Sequence, residues 1–256
     1  MSQRLNNTSS SVSPSPGTAH RALVFICLLS AGLGVLGGLV APALMRLIGF
    51  FTNLSFYGRL SSSFISPAHN HLGLWVILIP AAGGIIVGLM ARFGSKAIRG
   101  HGIPEAMEQV LEGNSRIPAR VTILKPVSAA VAIGTGGPFG AEGPIIATGG
   151  ALGSLVGQLL STTGAERKTL LAAGAAAGMA ATFGSPVSAT LLAIELLLFE
   201  FRARSIIPAA IAAAAAAGMR IQFMGAAPIF SMPQVGPVSL PALALFGLIL
   251  LGTLYS

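Results

Sequence analysis

Glu142 is an isolated carboxylate in an apolar part of the chain. It is the only charged residue from Pro126 to Ala165, and glycine lies on either side of it in the run Gly140-Ala141-Glu142-Gly143-Pro144. An ionisable side chain at bilayer depth is costly, so it generally faces a cavity or an ion path. Proline is favoured in the first turn of a helix, where its missing N–H is not needed. The pattern predicts a helix that begins inside a membrane, with unpaired N–H groups and a carboxylate at an anion or proton site. The alternative is a glutamate that only caps its own helix.

A second helix start is predicted where Gly102 is followed by Ile103 and Pro104. Glycines on both sides of His101 allow the chain to turn, and the proline again marks the first turn of a helix. Half-helices whose N-termini point to the bilayer midplane are one way in which transporters hold anions. The sequence therefore predicts two broken helices, one starting near Ile103 and one near Glu142.

The composition is that of a membrane protein. Hydrophobic residues make up 53% of the 256 residues and charged residues only 9%, whereas globular proteins have about a quarter charged. The net charge of +8 lies in short segments between apolar runs, without basic clusters interleaved with aromatics, so nucleic-acid binding is not expected. Motifs for hydrolysis or phosphate binding are absent, so we expect neither an enzyme nor a cofactor. Glycines at 32, 34 and 37 match a dinucleotide-binding pattern, but they lie in an apolar run and indicate helix packing.

The apolar runs give an outline of the fold. Residues 1–20 are rich in Ser, Asn, Thr and Pro and predict a disordered cytoplasmic tail, and 51–71 predict a polar loop. The predicted helical segments are 22–45, 72–91, 126–141, 143–165, 169–194 and 205–219, and 237–256 opens a further one. The segment 169–194 is too long for one span and is divided at Gly184-Ser185-Pro186. We predict an all-α, polytopic transmembrane protein with broken, re-entrant half-helices.

The distribution of Lys and Arg predicts the orientation. If the N-terminus is cytoplasmic, twelve basic residues face the cytoplasm and three, Arg46, Arg59 and Arg220, face outside. This arrangement requires residues 100–113 to enter the membrane and return to the cytoplasm.

Three motifs resemble those of the CLC chloride channels and chloride/proton antiporters. They are GHGIPEAMEQVLE from residue 100, GAEGPIIATGGALG from residue 140 and AAGAAAGMAATFGSPVSATLLAIE from residue 172, in the family's order. The resemblance implies a homodimer in a bacterial inner membrane that transports chloride and possibly protons. It also implies that Glu142 is the gating glutamate, that backbone N–H groups near Gly102, Ile103 and Gly143 bind the anion, and that Lys125 favours anions electrostatically.

The sequence departs from the family pattern at three positions, one of which is Ala141, where the motif around the gating glutamate has an arginine. His101 stands where the family has a chloride-coordinating serine; its ring could make anion binding depend on pH, or only its backbone could take part. Leu196 stands where proton-coupled members have an inner glutamate. The neighbouring Glu195 could carry protons instead, or it could be a structural, hydrogen-bonded residue.

The resemblance covers the first of the family's two inverted repeats. It assigns residues 21–236 to that repeat and 237–256 to the start of a second. The second repeat's GxFxP-type motif and central tyrosine have no counterpart, since the tyrosines are Tyr57 and Tyr255. The sequence thus leaves two hypotheses: a voltage-gated chloride channel or chloride/proton exchanger of the CLC type, gated by Glu142, or a truncated, non-conducting membrane fragment that acts only by helix association.

Overall fold

The computed structural model describes residues 16–100, 102–111 and 114–225, with four isolated positions after residue 238. The described residues form helices and loops and no strand, which confirms the all-α class. These helices belong to one compact unit, Met1–Ala226. The α-helices in this part of the chain are α1 (Pro16–Thr52), α2 (Leu78–Phe93), α3 (Ile103–Leu111), α4 (Ala119–Gly134), α5 (Glu142–Leu159), α6 (Gly164–Phe183), α7 (Pro186–Ala193) and α8 (Ala203–Met224). The predicted start of a second repeat at 237–256 lies outside the described residues, apart from the isolated positions.

Three helical segments of the described residues are long and apolar enough to cross a membrane: His20–Tyr57, Gly73–Phe93 and Ala203–Met224. The second segment agrees closely with the prediction for residues 72–91, and the third contains the predicted 205–219. In contrast, α3 has nine residues and is only about 14 Å long, against about 30 Å for a hydrocarbon core. A helix of that length can enter a bilayer but cannot cross it, as the re-entrant prediction requires.

The first helix is longer than the sequence predicted. It is already helical at Pro16, the first residue that the structure describes, inside the range assigned to the tail. It then runs through Thr52 into a π-helical turn, Asn53–Tyr57, where a polar loop was expected. The Asn53 side-chain amide donates to the carbonyl oxygens of Gly49 (2.8 Å) and Ser63 (2.7 Å), so the following loop folds back onto the helix end. An apolar pattern cannot reveal this tertiary contact.

Helix α6 lies at the centre of the unit and packs against α1, α5 and α8. Every side chain from Thr169 to Thr182 is buried. Glycines bring α5 and α6 together: a Cβ on Gly149 would overlap the Gly174 carbonyl, and one on Gly153 would overlap the Leu170 carbonyl. The glycines therefore permit a close approach of the two helix backbones.

The predicted break between α6 and α7 is also present. Helix α6 ends at Phe183, Gly184 adopts a left-handed conformation (φ 69°), and Pro186 is the first residue of α7. Helix α7 continues into a second π-helical turn, Ile194–Leu198, which packs against α3.

Candidate anion site

The starts of α3 and α5 lie against each other. Gly102, the residue before α3, has φ 103°, and a Cβ on it would lie 2.6 Å from the Gly143 carbonyl oxygen and 2.8 Å from the Ala147 Cβ. Glycine is therefore required here both by the backbone conformation and by the space. The first N–H groups of a helix lack intrahelical acceptors and carry partial positive charge. The two predicted broken helices thus present their N-termini at one place.

The start of α3 is capped by its own glutamate. The Gly102 N–H, expected from the family resemblance to bind an anion, donates to the Glu105 Oε2 at 2.6 Å, and the Gly102 carbonyl accepts the Ala106 N–H at 3.1 Å. This is half of a capping box, in which the third residue of a helix accepts the N–H of the N-cap. In this conformation the Gly102 N–H is occupied by Glu105, and the Ile103 N–H makes no hydrogen bond to another described residue. The glycine followed three residues later by glutamate is the sequence signal that identifies this cap.

Lys125 lies behind the turn that leads into α3. Its side chain is only 3% exposed, and its Nζ donates to the carbonyl oxygens of Ile98 (3.1 Å), Arg99 (3.4 Å) and Gly100 (3.0 Å). The resemblance implies an electrostatic role for this lysine, and the contacts show that the ammonium also fixes local backbone.

Glu142 is the first residue of α5, and its side chain is exposed. The N-cap, Ala141, has no side chain that could cap the helix, and in the described part of the chain the Glu142 carboxylate accepts no hydrogen bond. The structure therefore gives no support to the alternative that Glu142 only caps its own helix. The glutamate that caps a re-entrant helix is Glu105, on α3.

Glu195 lies in the π-helical turn after α7, with its side chain exposed. Among the described residues it makes no hydrogen bond, so the alternative of a structural, hydrogen-bonded glutamate is not supported here. The hydrogen-bonded glutamate of this region is Glu200, which accepts from the Ser205 hydroxyl at 2.7 Å. Leu196, beside Glu195, is partly buried against the core.

A cleft of about 450 Å³ opens beside the start of α3. The charged side chains that line it are Lys96, Arg99, Glu105, Glu108 and Lys125, and it reaches Gly102 and Ala147. Basic and acidic side chains therefore both line the cleft that leads to the starts of α3 and α5. His101 lies outside the described residues, and the role of its ring stays a prediction.

The loop that returns from α3 to α4 is held by residues from α5 and α6 that the sequence did not single out. Asn114 and Ser115 both have left-handed backbones, and Ser115 is 1% exposed. The Ser154 hydroxyl donates to the Ser115 carbonyl (2.6 Å), and the Arg167 guanidinium donates to the Asn114 carbonyl (3.4 Å). Gln158 donates to the Ile117 carbonyl at 2.9 Å. These bonds fix the far end of α3, as Lys125 and Glu105 fix its start.

A short re-entrant helix that begins against the start of a second helix, within a bundle that contains spanning helices, defines a polytopic membrane protein with a candidate anion site at helix N-termini. The chain belongs to the voltage gated chloride channel family, whose model matches residues 82–256. This confirms the resemblance drawn from the motifs. Members of this family are transport proteins and not enzymes, which agrees with the expectation from the sequence.

Individual relatives support the same assignment. The chain is 33% identical over 240 residues to the H(+)/Cl(-) exchange transporter ClcA of Vibrio vulnificus, a match that covers 91% of this chain and 49% of that protein. Two solved structures share the fold at 24% identity. One is a slow cyanobacterial Cl-/H+ antiporter (TM-score 0.66; 93% of this chain, 54% of that one), and the other is a CLC-type fluoride/proton antiporter (TM-score 0.69; 89% and 54%). The chain thus spans about half the length of these relatives.

Proposed function

We propose that this chain forms part of a transmembrane chloride path in which Glu142 is the gate. The observation that carries the proposal is the contact between the starts of α3 and α5, where Gly102 lies against Gly143 and Ala147. Two helix N-termini at one place supply N–H groups and partial positive charge for an anion. Family membership and a chloride-exchanging relative at 33% identity support chloride as the transported ion.

The gate would work by competition. An ionised Glu142 carboxylate is itself an anion at the start of α5, so it occupies the position that favours negative charge. A protonated carboxyl loses that attraction and leaves the position to chloride. The exposed Glu142 side chain, which has no hydrogen bond within the described residues, is consistent with movement between these two positions.

The test is ion flux through the reconstituted full-length protein. Glu142→Gln should abolish coupled proton movement or leave chloride flux insensitive to pH, because the amide cannot ionise. Glu166→Gln is the matched control: Glu166 accepts from Thr163 in the capping box of α6, and glutamine can accept the same hydrogen bonds. Chloride flux that keeps its original rate and pH dependence in Glu142→Gln would refute the gate.

The same assay with fluoride in place of chloride tests the choice of anion.

Coupling to protons is a separate part of the proposal. Because Leu196 cannot ionise, we favour a channel or a weakly coupled exchanger, with Glu195 as the remaining candidate for an inner proton carrier. Reversal potentials measured in the same liposomes under opposed chloride and proton gradients report the stoichiometry. A fixed chloride-to-proton ratio that disappears in Glu195→Gln would assign the coupling to that residue.

The cellular setting is proposed from the family and the charge distribution. We infer a homodimer in a bacterial inner membrane, with the N-terminus in the cytoplasm. Its ligand would be chloride, protons are a possible second substrate, and no cofactor is proposed. Reconstitution of the 256-residue chain by itself tests the second hypothesis, a non-conducting fragment: absence of flux from that chain, with flux from a longer protein that contains it, would favour that hypothesis.

A further inference from the structure

We propose that Lys125 and Glu105 are positioning residues: Lys125 fixes the backbone of residues 98–100 and Glu105 that of Gly102, so that the start of α3 is held against α5. In this role neither side chain touches the anion. The effect of this role on anion binding at the helix starts rests on the proposed function. The role differs from the electrostatic one that the family resemblance implies for Lys125.

The hydrogen bonds of Lys125 leave it no donor for an anion. A lysine ammonium has three N–H groups and no acceptor. Here the three carbonyl oxygens of Ile98, Arg99 and Gly100 lie 3.0–3.4 Å from Nζ. The side chain is 3% exposed, so a chloride ion in the cleft cannot reach the ammonium unless these bonds break. Lys125 therefore joins three consecutive carbonyl groups of the turn to α4.

Glu105 fixes the same turn from the other side. Its Oε2 accepts the Gly102 N–H at 2.6 Å, and a Cβ on Gly100 would overlap its Oε1, so the carboxylate lies against both glycines. Both glycines have positive φ (85° and 103°), a conformation that is flexible for glycine unless neighbouring groups restrain it. The ammonium and the carboxylate supply that restraint.

The charges of the two residues offset each other. The Lys125 ammonium binds the Gly100 carbonyl and the Glu105 carboxylate binds the Gly102 N–H, so two opposite charges lie at the same short segment of backbone. Lys96 and Arg99, which line the same cleft with exposed side chains, are the cations that remain accessible from solvent. The contribution of Lys125 to anion binding is thus the geometry of the turn.

Four variants of the full-length protein separate positioning from charge, with chloride affinity measured by calorimetry in detergent. Lys125→Met removes the donors, and Lys96→Met removes an equal charge from the same cleft without a hydrogen bond to the turn. Glu105→Gln keeps an acceptor for the Gly102 N–H and removes the charge, whereas Glu105→Ala removes both. Size-exclusion profiles confirm that each variant is folded.

Positioning predicts that Lys125→Met and Glu105→Ala each weaken chloride binding by about tenfold, the effect of one lost hydrogen-bonded contact. Lys96→Met and Glu105→Gln should stay within about twofold of the original affinity, a difference too small for a lost contact. An electrostatic role predicts the opposite sign for the glutamate, because loss of a negative charge would strengthen binding in both Glu105 variants. Stronger binding in Glu105→Ala, or equal weakening in Lys125→Met and Lys96→Met, overturns the proposal.

Hydrogen–deuterium exchange tests the positioning without any anion. In chloride-free buffer, peptides that cover the turn and the start of α3 should exchange faster in Lys125→Met and Glu105→Ala than in Lys96→Met. Unchanged exchange in these two variants refutes positioning, whether or not the protein binds chloride. If exchange changes as expected but no chloride binds to the unmodified protein, the proposed function fails and the positioning role stands.

Discussion

Glu105 and Glu142 both lie in the first turn of a helix, yet their positions give them different chemistry. Glu105 is the third residue of α3, from which a side chain can reach back to the N–H of the N-cap, and it does so at 2.6 Å. Glu142 is the first residue of α5 and has no such N–H within reach. The third position of a helix thus makes Glu105 a structural carboxylate, whereas the first position leaves the Glu142 carboxylate available to compete with an ion.

A third glutamate, Glu200, makes stability depend on pH. The hydrogen bond from the Ser205 hydroxyl lowers the pKa of Glu200, and the neighbouring charges of Arg202, Lys168 and Arg204 act in the same direction, while burial opposes them. A carboxyl whose pKa is lowered by folding stabilises the fold above its unfolded pKa, about 4.3 for glutamate, and this stabilisation is lost as the pH falls through the folded pKa.

Ser205→Ala should therefore destabilise the protein at neutral pH by about 1 kcal/mol, since the bond is to a charged but partly exposed group. The difference from the unmodified protein should shrink below the ordinary glutamate pKa. Thermal unfolding in detergent from pH 7 to pH 3 measures it. Ser30→Ala is the control, because Ser30 is fully buried and its hydroxyl has no partner among the described residues. A Ser205→Ala deficit that persists unchanged at pH 3 would contradict the assignment.

At the scale of the elements, two glycines in one helix differ in their neighbours. A Cβ on Gly34 would lie 2.5 Å from the Ala212 carbonyl oxygen of α8, whereas a Cβ on Gly32 meets nothing within 4 Å. Gly34→Ala should lower the stability by about 1–3 kcal/mol, the usual cost of overpacking, because α1 and α8 must move apart. Gly32→Ala should be neutral or slightly stabilising, because alanine favours the helix. Unfolding followed by the fluorescence of Trp75, the chain's single tryptophan, measures the stability of the two variants. Equal losses of stability in both would show that α1 and α8 do not pack as described.

The helix starts and breaks could be predicted because their signals are local. Proline and glycine fix the beginnings of α3 and α5 and the break at Gly184, and each signal lies within a few residues of its effect. The extension of α1 depends on an Asn53 contact with Ser63, and the Lys125 contacts join residues 25 to 27 positions apart. No periodicity encodes such contacts. Local signals predicted where these helices start, and the tertiary structure showed that the Gly102 N–H is occupied by Glu105.

At the scale of the whole molecule, the orientation can be tested from either side of the membrane. A cytoplasmic N-terminus places the loop after α1 outside and the turn before α3 inside. His69 and Lys96 are exposed residues of those two segments. With Cys27, the chain's single cysteine, replaced by serine, His69→Cys should react with a membrane-impermeant maleimide in intact cells, and Lys96→Cys only after permeabilisation. The reverse pattern would invert the orientation and place the cleft beside α3 on the outer face.

The hydrogen bonds that hold the loop after α3 impose an order on biosynthesis. Their partners, Ser154, Gln158 and Arg167, come 37 to 53 residues after the backbone groups that they bind. At about 5–20 residues per second, a ribosome needs several seconds to reach them. During that time α3, short and carrying Glu105 and Glu108, has neither the length nor the hydrophobicity to settle in the bilayer unaided. The segment can therefore take its final place only after α5 and the start of α6 have been synthesised.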